Sequence, residues 1–419
     1  MEKIIVNGGR RLSGEVMIGG SKNASLPILF GGIVTGDCCV FSRLPRVSDV
    51  LRTLEILKCL GARIRFLQGG DVRVDYSTVR AGSPPHTLTS AIRGSTYLLG
   101  AMLARFGRAE LLGAGGCDFG ARPIDQHLMG FSMMGAASTC IGDRVIITAP
   151  PEGLHAARIV LAMPSVGATA NLMIAAAVLP EESIIENAAA EPHVSALADF
   201  LQRAGAEIEG VGTDTIRIKG GKLCGTHYRM IPDMIEAGTY LCMGAACGGP
   251  VRVRGVDPKH LSALIHTLRR MGITVETDRE SVTASAFDGY RCTNVVTAPY
   301  PDFPTDLHPQ IAALMALGPR ASGGGSVTEN VFDSRFRYVE ELKQMGASLI
   351  AENRTLKITP TTLHAACVTS PDLRGGAALL LAALATKGES EICNAATVGR
   401  GYEHLEQKLR GIGAEVSVI

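Results

Sequence analysis

A helical stripe of apolar residues spaced three and four apart, closed by glycine and followed by alternating strand residues, comes round six times along the chain. The copies are LEILKCLGARIRF, LMGFSMMGAASTC, LADFLQRAGAEIE, LIHTLRRMGITVE, VEELKQMGASLIA and LEQKLRGIGAEVS. Their glycines, Gly61, Gly135, Gly205, Gly272, Gly346 and Gly413, are 74, 70, 67, 74 and 67 residues apart. Glycine tolerates the left-handed backbone that ends a helix, so each copy predicts an amphipathic helix, a glycine stop and a hairpin.

Upstream of each stripe runs a second helical segment, apolar nearly all round: NASLPILFGGIV, STYLLGAMLARF, GATANLMIAAAV, AGTYLCMGAACG, HPQIAALMALG and GGAALLLAALA. Such helices belong in a core. Strands such as KIIVN, GEVMI, ARIVL and SIIEN fill the gaps, so one unit reads βαβαββ and the fold class is α/β. Three units around a shared core of apolar helices make a domain with pseudo-three-fold symmetry, and six make two. The last unit stops partway through its hairpin while Lys3 to Ile18 offers two unclaimed strands, so the chain ends are expected to pair. The expected domains are residues 1–21 with 230–419, and 22–229, the cut falling between Arg229 and Pro232.

The 419 residues exceed one ordinary core, and 46% hydrophobic with 19% charged residues at a mean hydropathy of +0.20 describes a globular chain. With 41 basic and 40 acidic residues, bulk charge drives no nucleic-acid or membrane-surface binding. MEKIIVNGG lacks the apolar stretch of a secretory signal, so the chain is expected to begin at Met1 and stay cytoplasmic. The longest apolar run, Ala377 to Ala385, is far shorter than the roughly 20 residues that span a bilayer. Eleven scattered cysteines without a C-x-x-C pair read as reduced thiols, and no zinc-type spacing appears, so no metal and no cofactor are expected. Neither a P-loop nor a G-x-G-x-x-G string occurs.

Chemistry-bearing residues gather just before the buried helices, in SKNAS, IRGST, PSVGA, PDMIE, PTDLH and PDLRG. Helix starts present unpaired N–H groups, and Lys22, Arg93 and Arg374 add cations, a composition suited to an anion site. Taken singly, each is more simply an N-cap or a solvated charge. Before the second helices lies another set of loops. Leu111 to His127 is longer than its siblings and sets Cys117 among Gly115, Gly116 and Gly120, with Arg122 five residues on. A lone cysteine is usually incidental, but this composition fits a mobile loop carrying an acid or nucleophile over an anion. The corresponding loops in the other half carry Arg335 and Arg400.

The strings GGSKNASLPIL, GGCDFGARPIDQH, PSVGAT, FPTD, VFDSRF, DLRG and RGYEHLEQKLRGIGAE, the most specific in a match that covers all six repeats, resemble the UDP-N-acetylglucosamine 1-carboxyvinyltransferases, the sugar branch of the EPSP synthase family. The resemblance implies a two-domain inside-out α/β barrel closing over a cleft. It implies transfer of the enolpyruvyl group of phosphoenolpyruvate to the 3-hydroxyl of UDP-N-acetylglucosamine through a tetrahedral ketal with release of phosphate, the first committed step of peptidoglycan synthesis. It further implies that Lys22, Arg122 and Arg400 are cations for phosphoenolpyruvate, with Asn23 beside the sugar and Arg93 and Arg374 as further cations. By the same resemblance Cys117 is the proton donor, open to covalent capture by phosphoenolpyruvate or fosfomycin, and Asp306 takes the proton of the sugar hydroxyl. Arg122, Pro123, Ile124, Asp125, Gln126, Pro164, Ser165, Val166, Gly167, Asp306 and Val331 match contacts to the UDP-sugar, and Asp372 a second carboxylate. The substrate chemistry is consistent with these roles: a polyanion suits converging guanidinium and ammonium groups, and adding an alkoxide to its C2 needs one base and one acid.

Three positions depart from the pattern. Met163 and Met234 stand where relatives place Lys and Arg, and Tyr97 where some have Trp, which points to weaker binding of the UDP group and to a redundant second copy as one reading. Two rival functions remain. A 3-phosphoshikimate 1-carboxyvinyltransferase shares the repeats but normally lacks the cysteine loop. A silent ring-like interaction protein would show basic residues along its repeat helices, which are here apolar or mixed.

Overall fold

The computed structural model describes residues 2–113, 124–287 and 289–419. Six buried helices organise it: α1 Lys22–Gly31, α2 Leu98–Phe106, α3 Val166–Ala176, α4 Met234–Ala246, α5 His308–Ala316 and α6 Leu373–Ala385. They are the segments whose sequence is apolar all round. In α6 every residue from Leu373 to Leu384 is buried, Arg374 included. Each fully buried leucine there contributes roughly 1.5–3 kcal/mol from surface withdrawn from water. The described residues form two compact units, 2–19 with 232–419, and 20–113 with 124–231. In the first unit α4, α5 and α6 pack on one another, and in the second α1, α2 and α3 do the same.

The amphipathic helices cover these cores, and each ends as the sequence pattern predicts. Gly61, Gly135, Gly205, Gly272, Gly346 and Gly413 all have positive φ, between 86° and 122°. A residue with a side-chain carbon is strained there, which is why glycine recurs at this one place in all six units.

Among the described residues the strands make six separate sheets, five of four strands and one of three. The α/β expectation holds, and among the described residues the strands of neither unit join into one continuous hydrogen-bonded barrel. In a four-stranded sheet the first strand runs parallel to the second, which continues antiparallel into the hairpin: Arg158–Val160 beside Glu182–Glu186, then Thr215–Lys219 and Glu207–Glu209. The sixth sheet is completed by the N-terminus. Lys3–Gly8 lies between Gly388–Cys393 and Glu415–Val418, antiparallel to both, and Gly14–Met17 pairs with Val251–Arg254.

One repeat departs from the βαβαββ reading. The sheet Arg108–Leu112, Arg144–Thr148 and Ala137–Ile141 has no parallel first strand among the described residues. The segment that precedes its helices carries Gly82, Pro84 and Pro85, and proline has no N–H to give a ladder. The boundaries also differ by two residues from those read in sequence. Gly20 to Ile231 stays in the second unit because the Ser21 N–H donates to Ile231 O and the Met230 N–H to Ser42 O.

Candidate active site

In the first unit the starts of α4, α5 and α6 carry the carboxylates read from the sequence, and the structure gives them two different roles. Asp233 caps α4, accepting from the Ile235 and Glu236 N–H groups at 2.9 Å, and Asp372 caps α6 in the same way through Arg374 and Gly375. Asp306 caps nothing. It sits in the tight turn Thr305–Leu307, and its two oxygens accept from Arg335 Nη2 at 2.8 Å and Arg374 Nη2 at 2.9 Å. Both arginines are buried while Asp306 keeps 26% of its side chain exposed, so the carboxylate faces solvent with two guanidiniums behind it. Burial works against the charge on Arg374, but Asp306, Tyr402 and Asp233 together outweigh it and hold the guanidinium above its ordinary value.

Behind Asp306 lies a buried relay that sequence reading missed. His308 Nδ1 meets Glu329 Oε2 at 2.9 Å and its Nε2 meets the Tyr338 hydroxyl at 2.7 Å. Burial pushes the imidazole below its usual range, so it is neutral: Nδ1–H donates to Glu329, and Nε2 accepts from Tyr338. Burial also works against the charge on Glu329, but hydrogen bonds from His308 and from the N–H groups of Val331 and Phe332 hold it below the ordinary carboxylate value. Thr305 Oγ1 donates to the same carboxylate at 2.9 Å. Glu329 thereby ties the Asp306 turn to Val331. Tyr402 joins α4, α5 and α6 through Thr239, Gln310 and Arg374. Arg400 ends the turn Ala395–Arg400, which follows the strand Gly388–Cys393.

The second unit gathers the other expected residues at the starts of α1, α2 and α3. Ser21 caps α1, and Lys22 Nζ stands 2.9 Å from Oδ2 of the buried Asp49, a partner that sequence reading overlooked. Arg93 opens the turn leading into α2, and Ser165 caps α3, placing Val166 and Gly167 in its first turn. Asn171 links these starts: it donates to Thr96 O at 2.9 Å and His127 Nδ1 at 2.8 Å and accepts from the Gly100 N–H at 2.8 Å. Burial, with a smaller push from Arg93, lowers the His127 imidazole to about 4. A side-chain carbon on Gly167 would stand 3.0 Å from His127 Nε2, so the turn lies against the ring. Asp125 and Gln126 begin the helix Asp125–Met133, preceded by Ile124, and Gln126 Oε1 accepts from the Met163 N–H beside Pro164. Asn23 is half-buried in the first turn of α1. Cys117, Arg122 and Pro123 lie outside the described residues.

A model of EPSP synthase (3-phosphoshikimate 1-carboxyvinyltransferase) matches residues 6–409. The chain belongs to the EPSP synthase family. Within that family it is 41% identical, over 99% of both chains, to UDP-N-acetylglucosamine 1-carboxyvinyltransferase 3 of Caldanaerobacter subterraneus. It is equally close, over the same shares, to the UDP-N-acetylglucosamine 1-carboxyvinyltransferase of Trichlorobacter lovleyi. Among solved structures, the enolpyruvyl transferase NikO of Streptomyces tendae superposes with a TM-score of 0.89 at 26% identity, covering 100% of this chain and 98% of its own.

Proposed function

We infer that this member of the EPSP synthase family transfers the enolpyruvyl group of phosphoenolpyruvate to the 3-hydroxyl of UDP-N-acetylglucosamine and releases phosphate, the first committed step of peptidoglycan synthesis. The observation that carries the reading is the full-length 41% identity to relatives named for that reaction. Addition of the sugar oxygen to C2 and of a proton to C3 forms a ketal. Loss of phosphate from C2 and of a proton from C3 then restores the double bond.

We propose that Asp306 accepts the proton of the 3-hydroxyl. Its exposed edge and the two guanidiniums fixed behind it support the role, since they orient the carboxylate toward solvent. Lys22, Arg93, Arg374 and Arg400 neutralise the phosphate and carboxylate of phosphoenolpyruvate, with Arg122 as a further cation. Asn23, Ile124 to Gln126, Pro164 to Gly167, Val331 and Asp372 border the UDP-sugar, with Pro123 in the same set. Cys117 donates the proton to C3 and is the residue fosfomycin would alkylate. No described helix is long and apolar enough to cross a membrane. Substrates that are charged and nucleotide-linked support a cytoplasmic site of action, and a net charge of +1 supports small molecules rather than nucleic acid as partners.

The family model is also described as 3-phosphoshikimate 1-carboxyvinyltransferase, so the acceptor is what an experiment must separate. Phosphate release from phosphoenolpyruvate is expected with UDP-N-acetylglucosamine and not with shikimate 3-phosphate. Turnover with shikimate 3-phosphate alone would reverse the assignment.

A further inference from the structure

The geometry points to a binding site for a thiophilic divalent cation of the zinc class at Cys367, Cys393 and Glu391 in the first unit. The strands Cys367–Thr369 and Gly388–Cys393 run parallel, with Cys367 opposite Glu391 and Thr369 opposite Cys393. Both thiols and the carboxylate therefore stand on neighbouring positions of one sheet. The two Sγ atoms are 4.0 Å apart, and Cys393 Sγ is 3.3 Å from Glu391 Oε1. Among the described residues, no other trio of His, Cys, Asp or Glu side chains brings its ligand atoms within 4.8 Å of one another.

Two nearby thiols invite a disulfide as well as a metal, and the backbone favours the metal. The cysteines are diagonal across the parallel pair, two residues out of register. Strand rise and spacing put their Cα atoms about 8 Å apart. A disulfide requires Cα atoms within about 7 Å and sulfurs at about 2.05 Å. A tetrahedral ion with metal–sulfur bonds of about 2.3 Å asks only that the sulfurs lie about 3.8 Å apart, close to the spacing present. Lys3 Nζ, 2.5 Å from Glu391 Oε1, completes the charge balance: two thiolates and a carboxylate against a divalent ion and one ammonium. Cys367 is exposed and Cys393 and Glu391 are half-buried, so an ion reaches them from solvent and water fills the fourth position. Binding forms two metal–sulfur bonds and one metal–oxygen bond and releases the two thiol protons to solvent, with no change of oxidation state.

The place has a consequence for the proposed reaction site. One strand runs through Ser370 into Asp372 and Arg374, and the other through Asn394 into the turn ending at Arg400. Asn394 Nδ2 already donates to Ser370 O at 2.9 Å, joining the two exits. A bound ion clamps both strands and Lys3 just upstream of three residues assigned to substrate.

The test is titration of the reduced full chain with Cd²⁺, followed by the thiolate-to-metal absorption band and by native mass spectrometry. One ion per chain is expected, with affinity falling at least about 100-fold in Cys367→Ser and Cys393→Ser and about 10- to 100-fold in Glu391→Gln, while Cys117→Ala binds as the parent does. Zn²⁺ should protect Cys367 and Cys393 of the unaltered chain from alkylation, a readout that needs no variant to fold. Absence of the band, an unchanged band in the Cys367→Ser/Cys393→Ser pair, no protection, or a mapped Cys367–Cys393 disulfide would each overturn the site.

Discussion

At the scale of single residues, Asp306 carries the chemistry most openly. Replacing it with Asn keeps the shape of the side chain but removes the basic oxygen and the charge held by Arg335 and Arg374. Turnover is expected to fall by roughly 10²- to 10⁴-fold with sugar binding retained, read by phosphate release beside calorimetric titration. Near-parental turnover would take Asp306 out of the base role. Met234 is the first residue of α4, immediately after the Asp233 cap. Met234→Arg should lower the Michaelis constant for the UDP-sugar if a cation is what that position lacks, and an unchanged constant would dismiss the inference. Asp306 was legible from its FPTD string and its place before α5. Arg335 was read only as a loop cation and Asp49 not at all, because their partners lie 29 and 27 positions away and only folding brings them together.

At the scale of elements, one device holds site-bearing helix starts in place and another ends the helices that cover the cores. The first is the His127–Asn171 pair. Its linkage to pH follows from a folded imidazole at about 4 against an unfolded value of about 6.5. As pH falls the unfolded chain takes up this proton first, so the stability is complete above pH 6.5 and is lost progressively toward pH 4, by roughly 3 kcal/mol. Denaturant midpoints measured across that window should drop more steeply in the parent than in His127→Gln, and parallel curves would remove His127 as the source. The second device is the glycine stop. Nothing stands within 4 Å of a side-chain carbon built on Gly272, whose φ is +86°, so Gly272→Ala isolates backbone strain and should cost about 1–2 kcal/mol in chemical unfolding. These stops were fully legible, since each is a local demand on one residue. The His308–Glu329–Tyr338 relay was not, because its members sit in three elements and no spacing joins them.

At the scale of the whole chain, the N-terminal strand is a structural necessity for the C-terminal repeat. Lys3–Gly8 is the inner strand between Gly388–Cys393 and Glu415–Val418, and Ile4 and Val6 are buried. Removing residues 2–8 leaves two strand edges and an apolar face uncovered. Limited proteolysis of that deletion is expected to cut within residues 360–419 first, and protection equal to the parent would show that the strand is dispensable. The pairing of chain ends followed from counting: five complete hairpins, one half hairpin, and spare strands at the start.

By itself the sequence determined the six repeats, the α/β class, the helices that would be buried and the glycines that would end their neighbours. All of these rest on periodicity and on backbone freedom, which act over a few residues. Tertiary structure alone decided which carboxylates became caps and which one was left facing solvent between two arginines. It also decided that the second repeat would show no parallel first strand among the described residues and that Cys367 would meet Cys393. Such outcomes depend on register between strands and on burial shared among distant segments. Neither is a property of any short stretch of chain.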